Sequence, residues 1–192
     1  KSLLYDKQGN DSSITQNNIA VTYLDLGESQ KAINSLERAL NEAGGNEIDS
    51  STKASSFQHL GSAYKNLAKY DEAVKYYKKS LDLRKQVLKV NKSDLALSYR
   101  MLGSTYVEIG LYEKAESVLE KAVKITLVNF GERHLETAYA YSELGFYWRK
   151  KGEYDKALEY SEKSLAIKKK IFRKDNINVA VNLNQIGILL HS

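Results

Sequence analysis

The chain has 192 residues, 42% hydrophobic and 28% charged, a balance typical of folded proteins and poor in the long apolar runs of membrane spans. It has no cysteine, which excludes disulfides, thiolate metal sites and cysteine nucleophiles, and no proline, which suits a chain that is mostly helix. The net charge of +5 favours acidic partners yet falls short of the dense basic patch of a dedicated nucleic-acid binder. The first ten residues, "KSLLYDKQGN", lack the apolar stretch of a secretory signal, so a cytoplasmic location is expected.

In chain order, residues 1–9 carry the pattern of the end of a helix, aligning with "KSLDLRKQV" at 79–87. Residues 17–40, "NNIAVTYLDLGESQKAINSLERAL", read as two amphipathic helices around a turn at Gly27. A polar linker follows, in which Gly44-Gly45 ends a helix. The same helix pair then returns as "FQHLGSAYKNLAKYDEAVKYYKKSL" from Phe57, "YRMLGSTYVEIGLYEKAESVLEKAV" from Tyr99 and "YSELGFYWRKKGEYDKALEYSEKSL" from Tyr141. Residues 179–192, "VAVNLNQIGILLHS", repeat the first helix alone.

The repeat is strict. Gly61, Gly103, Gly145 and Gly187 are each 42 residues apart, and Ala20 holds the place in the first copy. A leucine or isoleucine precedes each (Leu60, Leu102, Leu144, Ile186), and Tyr64, Tyr106, Trp148 and Leu190 follow three residues on. Phe57, Tyr99, Tyr141 and Leu183 complete one helical stripe. Glycine inside a helix costs about 1 kcal/mol relative to alanine, so four at one position need a packing reason. A second helix approaching closely supplies one, with its own small residue at Ala32, Ala73, Ala115 and Ala157. Gly27, Gly110 and Gly152 mark the turns, replaced by Ala68 in one copy.

Second helices begin with acids (Asp71-Glu72, Glu113, Asp155) and end with bases (Arg84-Lys85, Lys168-Lys169-Lys170), matching the helix dipole and reading as solvated ends. Of 14 tyrosines, eight occupy three repeated positions and are read as packing. The histidines, His59, His134 and His191, fall at unrelated positions, and no phosphate loop or nucleophile elbow occurs. Neither catalysis nor a metal or other cofactor is expected.

Phe57, Leu60-Gly61, Tyr64, Ala73 and Tyr77 stand at the spacing of the tetratricopeptide repeat signature, W-x2-L-G-x2-Y then A-x3-F. The resemblance spans the chain in a long 42-residue form similar to kinesin light chain repeats and to Rap-type regulators. Residues 129–138 and 175–187 resemble the kinesin light chain connection, and Asn17-Asn18 the double asparagine of its first helices. The resemblance implies an all-α fold, a right-handed superhelical solenoid of antiparallel helix pairs. It implies a single array: 1–10 the end of a preceding helix, repeats at 11–50, 51–92, 93–134 and 135–176, and a last first helix at 177–192.

The family binds peptides on its concave face. Carried over by register, that face is Asn17, Asn18, Val21, Leu24 and Asp25; Gln58, His59, Ser62, Lys65 and Asn66; and Arg100, Ser104, Val107 and Glu108. It continues through Ser142, Glu143, Phe146, Arg149 and Lys150 to Asn184, Gln185 and Ile188. Among these the expected peptide contacts are Asn17, Asn18, Gln58, Lys65, Asn66, Arg100, Phe146, Arg149, Lys150 and Asn184. Amides suit a peptide backbone and the cations suit ligand carboxylates. The carboxylate clamp for chaperone tails is not expected, because Asn17 and Val21 replace its lysine and asparagine. The expected function is a protein-interaction scaffold. The alternatives are a regulatory segment of a larger signalling protein and an array that self-associates through its open ends.

Overall fold

In the computed structural model, residues 2–42, 49–87, 91–172 and 176–190 are described, with side chains from Ser13 onward apart from that of Glu42. Gly44 and Gly45, Arg173 and His191 lie outside the described residues. The described residues form helices α1 (Ser2–Asp25), α2 (Ser29–Glu42), α3 (Ser50–Asn66), α4 (Tyr70–Gln86), α5 (Lys92–Glu108), α6 (Tyr112–Phe130), α7 (Leu135–Lys151), α8 (Tyr154–Ile171) and α9 (Ile177–Leu190). No strand occurs among them. α1 is continuous across residues 10 and 11, where the repeat arithmetic set a boundary.

The chain divides into two compact units, Lys1–Val90 and Asn91–Ser192. In the first, α1 pairs with α2 and α3 with α4, and α1 and α2 both pack on α3. In the second, α5 pairs with α6 and α7 with α8; α7 packs on α5 and α6, and α9 on α8.

The helix pairs are built as the glycine argument requires. A Cβ on Gly61 would lie 2.7 Å from the Tyr77 ring, and one on Gly103 2.5 Å from Leu119 Cδ2. On Gly145 it would lie 2.7 Å from Ser161 Oγ. Tyr77, Leu119 and Ser161 each stand four residues after the small residue of the second helix, and Ala73, Ala115 and Ala157 are fully buried. α1, α3, α5 and α7 end in a left-handed residue, Gly27, Ala68, Gly110 and Gly152, with φ of 76°, 56°, 74° and 83°. Their N–H groups and the next ones bond back to the last turn, as Gly152 N to Arg149 O and Glu153 N to Trp148 O, the Schellman arrangement.

First helices start on side-chain caps. Asp49 accepts from the N–H of Ser51 and Thr52, Asn91 from Ser93, His134 Nδ1 from Glu136, and Asn176 from Asn178. That cap accounts for His134. Of the repeated tyrosines, Tyr106 is buried, Tyr154 is exposed and the rest are half-buried. The deepest, Tyr77 and Tyr147, occupy other positions.

Candidate functional site

The expected face separates into a buried floor and an accessible rim. On the floor of the first unit, Asn17 is only 6% exposed. Its Nδ2 donates to Ser56 Oγ at 2.7 Å and to the Ser13 carbonyl at 3.2 Å, tying α1 to α3. His59 Nδ1 lies 3.4 Å from Asn17 Oδ1. Gln58 Oε1 accepts from Arg84 Nη1 at 2.5 Å, so a second-helix cation reaches the first-helix face. Burial, and then the Arg84 charge, hold the His59 pKa below its ordinary value, keeping the ring neutral.

The second unit repeats this design with different residues. Ser142 stands in the Asn17 register and donates to Asn182 Oδ1 at 3.2 Å; Asn182, fully buried, stands in the Ser56 register. Lys168, 84 residues after Arg84, donates to Asn182 Oδ1 at 2.5 Å and to Ser142 Oγ at 2.9 Å. Ser164 Oγ donates to the Ala138 carbonyl at 2.7 Å, and Asn182 Nδ2 to the Ser161 carbonyl at 3.0 Å. α7, α8 and α9 thus share one buried polar clasp. Buried polar groups must be satisfied in this way, because an orphaned one costs about 1–3 kcal/mol.

Burial pushes the Lys168 amine down to about 8, with the Glu143 carboxylate opposing and the Arg100 charge adding to the fall. Arg100 is also buried. Its guanidinium lies 5.0 Å from the Tyr139 ring centroid and 3.9 Å from Glu136 Oε2, while Lys168 lies 5.3 Å from the same ring.

The rim carries the accessible groups. In the first unit Asn18 and Asn66 are exposed and Lys65 is half-buried. In the second, Phe146 is half-buried on α7, with Arg149 Cζ at 5.3 Å and Lys150 Nζ at 5.5 Å from its ring centroid. Lys150 Nζ lies 3.9 Å from Glu108 Oε2, and Asn184 is exposed on α9. Of the ten expected contacts, Asn17 and Arg100 belong to the floor, Gln58 joins floor to rim, and the other seven are accessible.

Sequence reasoning missed Arg84, Lys168 and Asn182. Arg84 and Lys168 were read as solvated helix ends but are 6% and 4% exposed, while their neighbours Lys85, Lys169 and Lys170 are exposed. A signal existed: both fall at one repeat position, 84 residues apart. Among the described residues no group of three or more histidines and carboxylates is placed to hold a metal. No described helix is long and apolar enough to cross a membrane.

The tetratricopeptide repeat model of one family matches residues 52–127, 110–170 and 136–192, and a second tetratricopeptide repeat model matches 15–45. No curated protein matches the chain. Similar solved structures include BtubC (BKLC) from P. vanneervenii, with TM-score 0.75, 16% identity, 97% of this chain and 82% of that one. A putative kinesin light chain from Podosopora anserina, described as nearly identical TPR-like repeats, has TM-score 0.72, 20% identity, and coverage of 92% and 84%. The apo form of RapI has TM-score 0.72 and 15% identity, with 94% of this chain covered and 48% of that one. These likenesses share the solenoid fold. The chain belongs to the tetratricopeptide repeat family.

Proposed function

We propose that the chain is a protein-interaction module that holds an extended peptide or a partner helix on the face of its first helices. The observation that carries this reading is the division of that face. In each unit buried hydrogen bonds tie the first helices to their neighbours, Asn17 to Ser56 and Ser142 to Asn182, while Asn18, Lys65 and Asn66 in the first unit and Phe146, Arg149, Lys150 and Asn184 in the second remain accessible. A preformed surface loses little entropy on binding, so a few contacts can supply specificity. Phe146 between two cations offers an apolar anchor that favours an acidic partner. Asn17, Gln58 and Arg100 contribute by holding the floor.

The test is capture of partners from source lysate by the immobilised chain, against Arg149→Glu with Lys150→Glu. The expected outcome is loss of specific partners at unchanged helicity. Capture of the same partners by both would move the interaction to another face.

A second reading, self-association, is favoured by α9. Ile177 and Leu190 are 71% and 66% exposed, and a Cβ on Gly187 would meet nothing within 4 Å. Sedimentation that does not change with concentration would remove it.

A further inference from the structure

In the second unit α6 and α8 both pack on α7 and flank it, with α5 before them in the chain and α9 after. Over α7 they leave a cleft of about 280 Å³. Its floor is Leu144, 3% exposed, and its walls are Val123, Leu127 and Val128 of α6 and Tyr160 of α8. Glu120 and Lys124 stand at its edge, one charge of each sign. Val128 is 76% exposed, the most open large apolar side chain among the described residues. The first unit has a groove at the same register, lined by Leu40 of α2, Leu60 of α3 and Tyr76 of α4 among others. The opening is therefore a property of stacked helix pairs, present wherever one pair follows another.

Further along α8 a second cleft, of about 320 Å³, continues the first. It is lined by Glu132 and Arg133 of the α6–α7 connection, Tyr141 of α7, and Lys163 and Lys170 of α8 among others. The Tyr141 and Tyr160 rings, with centroids 5.9 Å apart, join the two clefts. Lys163 is paired with Glu159 and lies over both rings, at 5.9 and 5.1 Å. Arg133 and Lys170 are exposed and pair with no other described residue. Set against Glu132, they leave this end of the groove with one uncompensated positive charge.

We infer that the α6–α8 groove is a docking site for a segment of a partner protein that presents an aliphatic side chain and, about two helical turns along, a carboxylate. The aliphatic group sits on Leu144 and covers Val128, an apolar side chain otherwise left in water. The carboxylate meets the fork of Arg133, which binds it through two parallel hydrogen bonds, and the Lys170 ammonium. The spacing comes from α8. At a rise of about 1.5 Å per residue, the midpoint of Lys163 and Lys170 lies about 10 Å beyond Tyr160, two turns of a bound helix. A lipid chain fits less well, because it would lie against the Glu120 and Lys124 charges, which a polypeptide can meet with its own polar groups. Second helices build this surface, apart from Phe146, Arg149 and Lys150 on the first-helix face, so either site can fail alone.

The experiment titrates the whole chain into a fluorescent synthetic helix of alanine and glutamine that carries two leucines one turn apart and a glutamate about two turns beyond them. Anisotropy should show saturable binding, weakened about tenfold by Val128→Gln and at least as much by Arg133→Glu with Lys170→Glu. The charge-reversed variant should in turn bind the same peptide with lysine in place of its glutamate. Arg149→Glu with Lys150→Glu should bind as the parent does. Because Val128, Arg133 and Lys170 are exposed, circular dichroism should be unchanged in these variants. Three outcomes overturn the inference. One is the absence of saturable binding up to about 1 mM. Another is binding that survives both groove variants but is lost with Arg149 and Lys150, which places the peptide on the first-helix face. The third is binding of phosphatidylglycerol vesicles, lost in the groove variants, with no binding of the peptide, which makes a bilayer the occupant.

Discussion

Ala68 is the one non-glycine residue with positive φ among the described residues, at 56°. Its N–H bonds to the Lys65 carbonyl at 2.9 Å and the Lys69 N–H to the Tyr64 carbonyl at 2.9 Å, the same closure that glycines make in the other turns. A left-handed conformation costs an L-residue roughly 1–2 kcal/mol, and glycine nothing comparable, though glycine gives the unfolded chain more freedom. Ala68→Gly should therefore raise stability by about 0.5–1 kcal/mol, read as a higher urea midpoint at an unchanged slope. A lower midpoint would show that this turn is closed in some other way. The sequence already marked the position, since Ala68 stands where three other copies have glycine.

At the scale of the element, one substitution separates packed from unpacked glycines. In Gly103→Leu the new side chain must displace Leu119 and Val118, whose atoms lie 2.5 and 3.1 Å from the Cβ position. Overpacking of this kind costs typically 1–3 kcal/mol. Gly187→Leu meets nothing within 4 Å and replaces a poor helix former, which favours the helix by up to about 1 kcal/mol. The first variant should melt well below the parent and the second at or above it. Equal melting of the two would refute the close approach of α5 and α6. The helix pairs were legible because apolar spacing, turn glycines and packing glycines recur at one period. Polar floor residues were not, because one register is filled by Asn17, Gln58, Arg100 and Ser142 on the floor and by the exposed Asn184 on α9. What ties three of them down is a partner on another helix: Ser56 for Asn17, Arg84 for Gln58, and Lys168 with Asn182 for Ser142. Such pairs follow from three-dimensional packing, which a pattern along one helix does not report.

At the scale of the whole molecule, the buried clasp links folding to protons. The Lys168 amine is at about 8 in the folded chain, below its ordinary 10.5, chiefly through burial. Between those values the unfolded chain binds more protons than the folded one, so stability rises with pH across that window. Below pH 8 both states carry the charge, and the folded state bears the cost of keeping it out of water. The tyrosines set the upper limit of a clean measurement. Burial and hydrogen bonding to Glu116 push the Tyr147 phenol up, so from about pH 10 the folded chain holds a proton the unfolded one loses, and stability falls. Lys168→Met keeps the length of the side chain and removes the titration. Subtracting its unfolding free energy from that of the parent at each pH cancels the tyrosines. The difference should grow in the parent's favour between pH 7.5 and 9.5, by on the order of 1 kcal/mol after allowing for solvent screening. A flat difference curve would mean that the amine keeps its ordinary affinity for protons, and that α9 is held by its apolar contacts and the Asn182 amide alone.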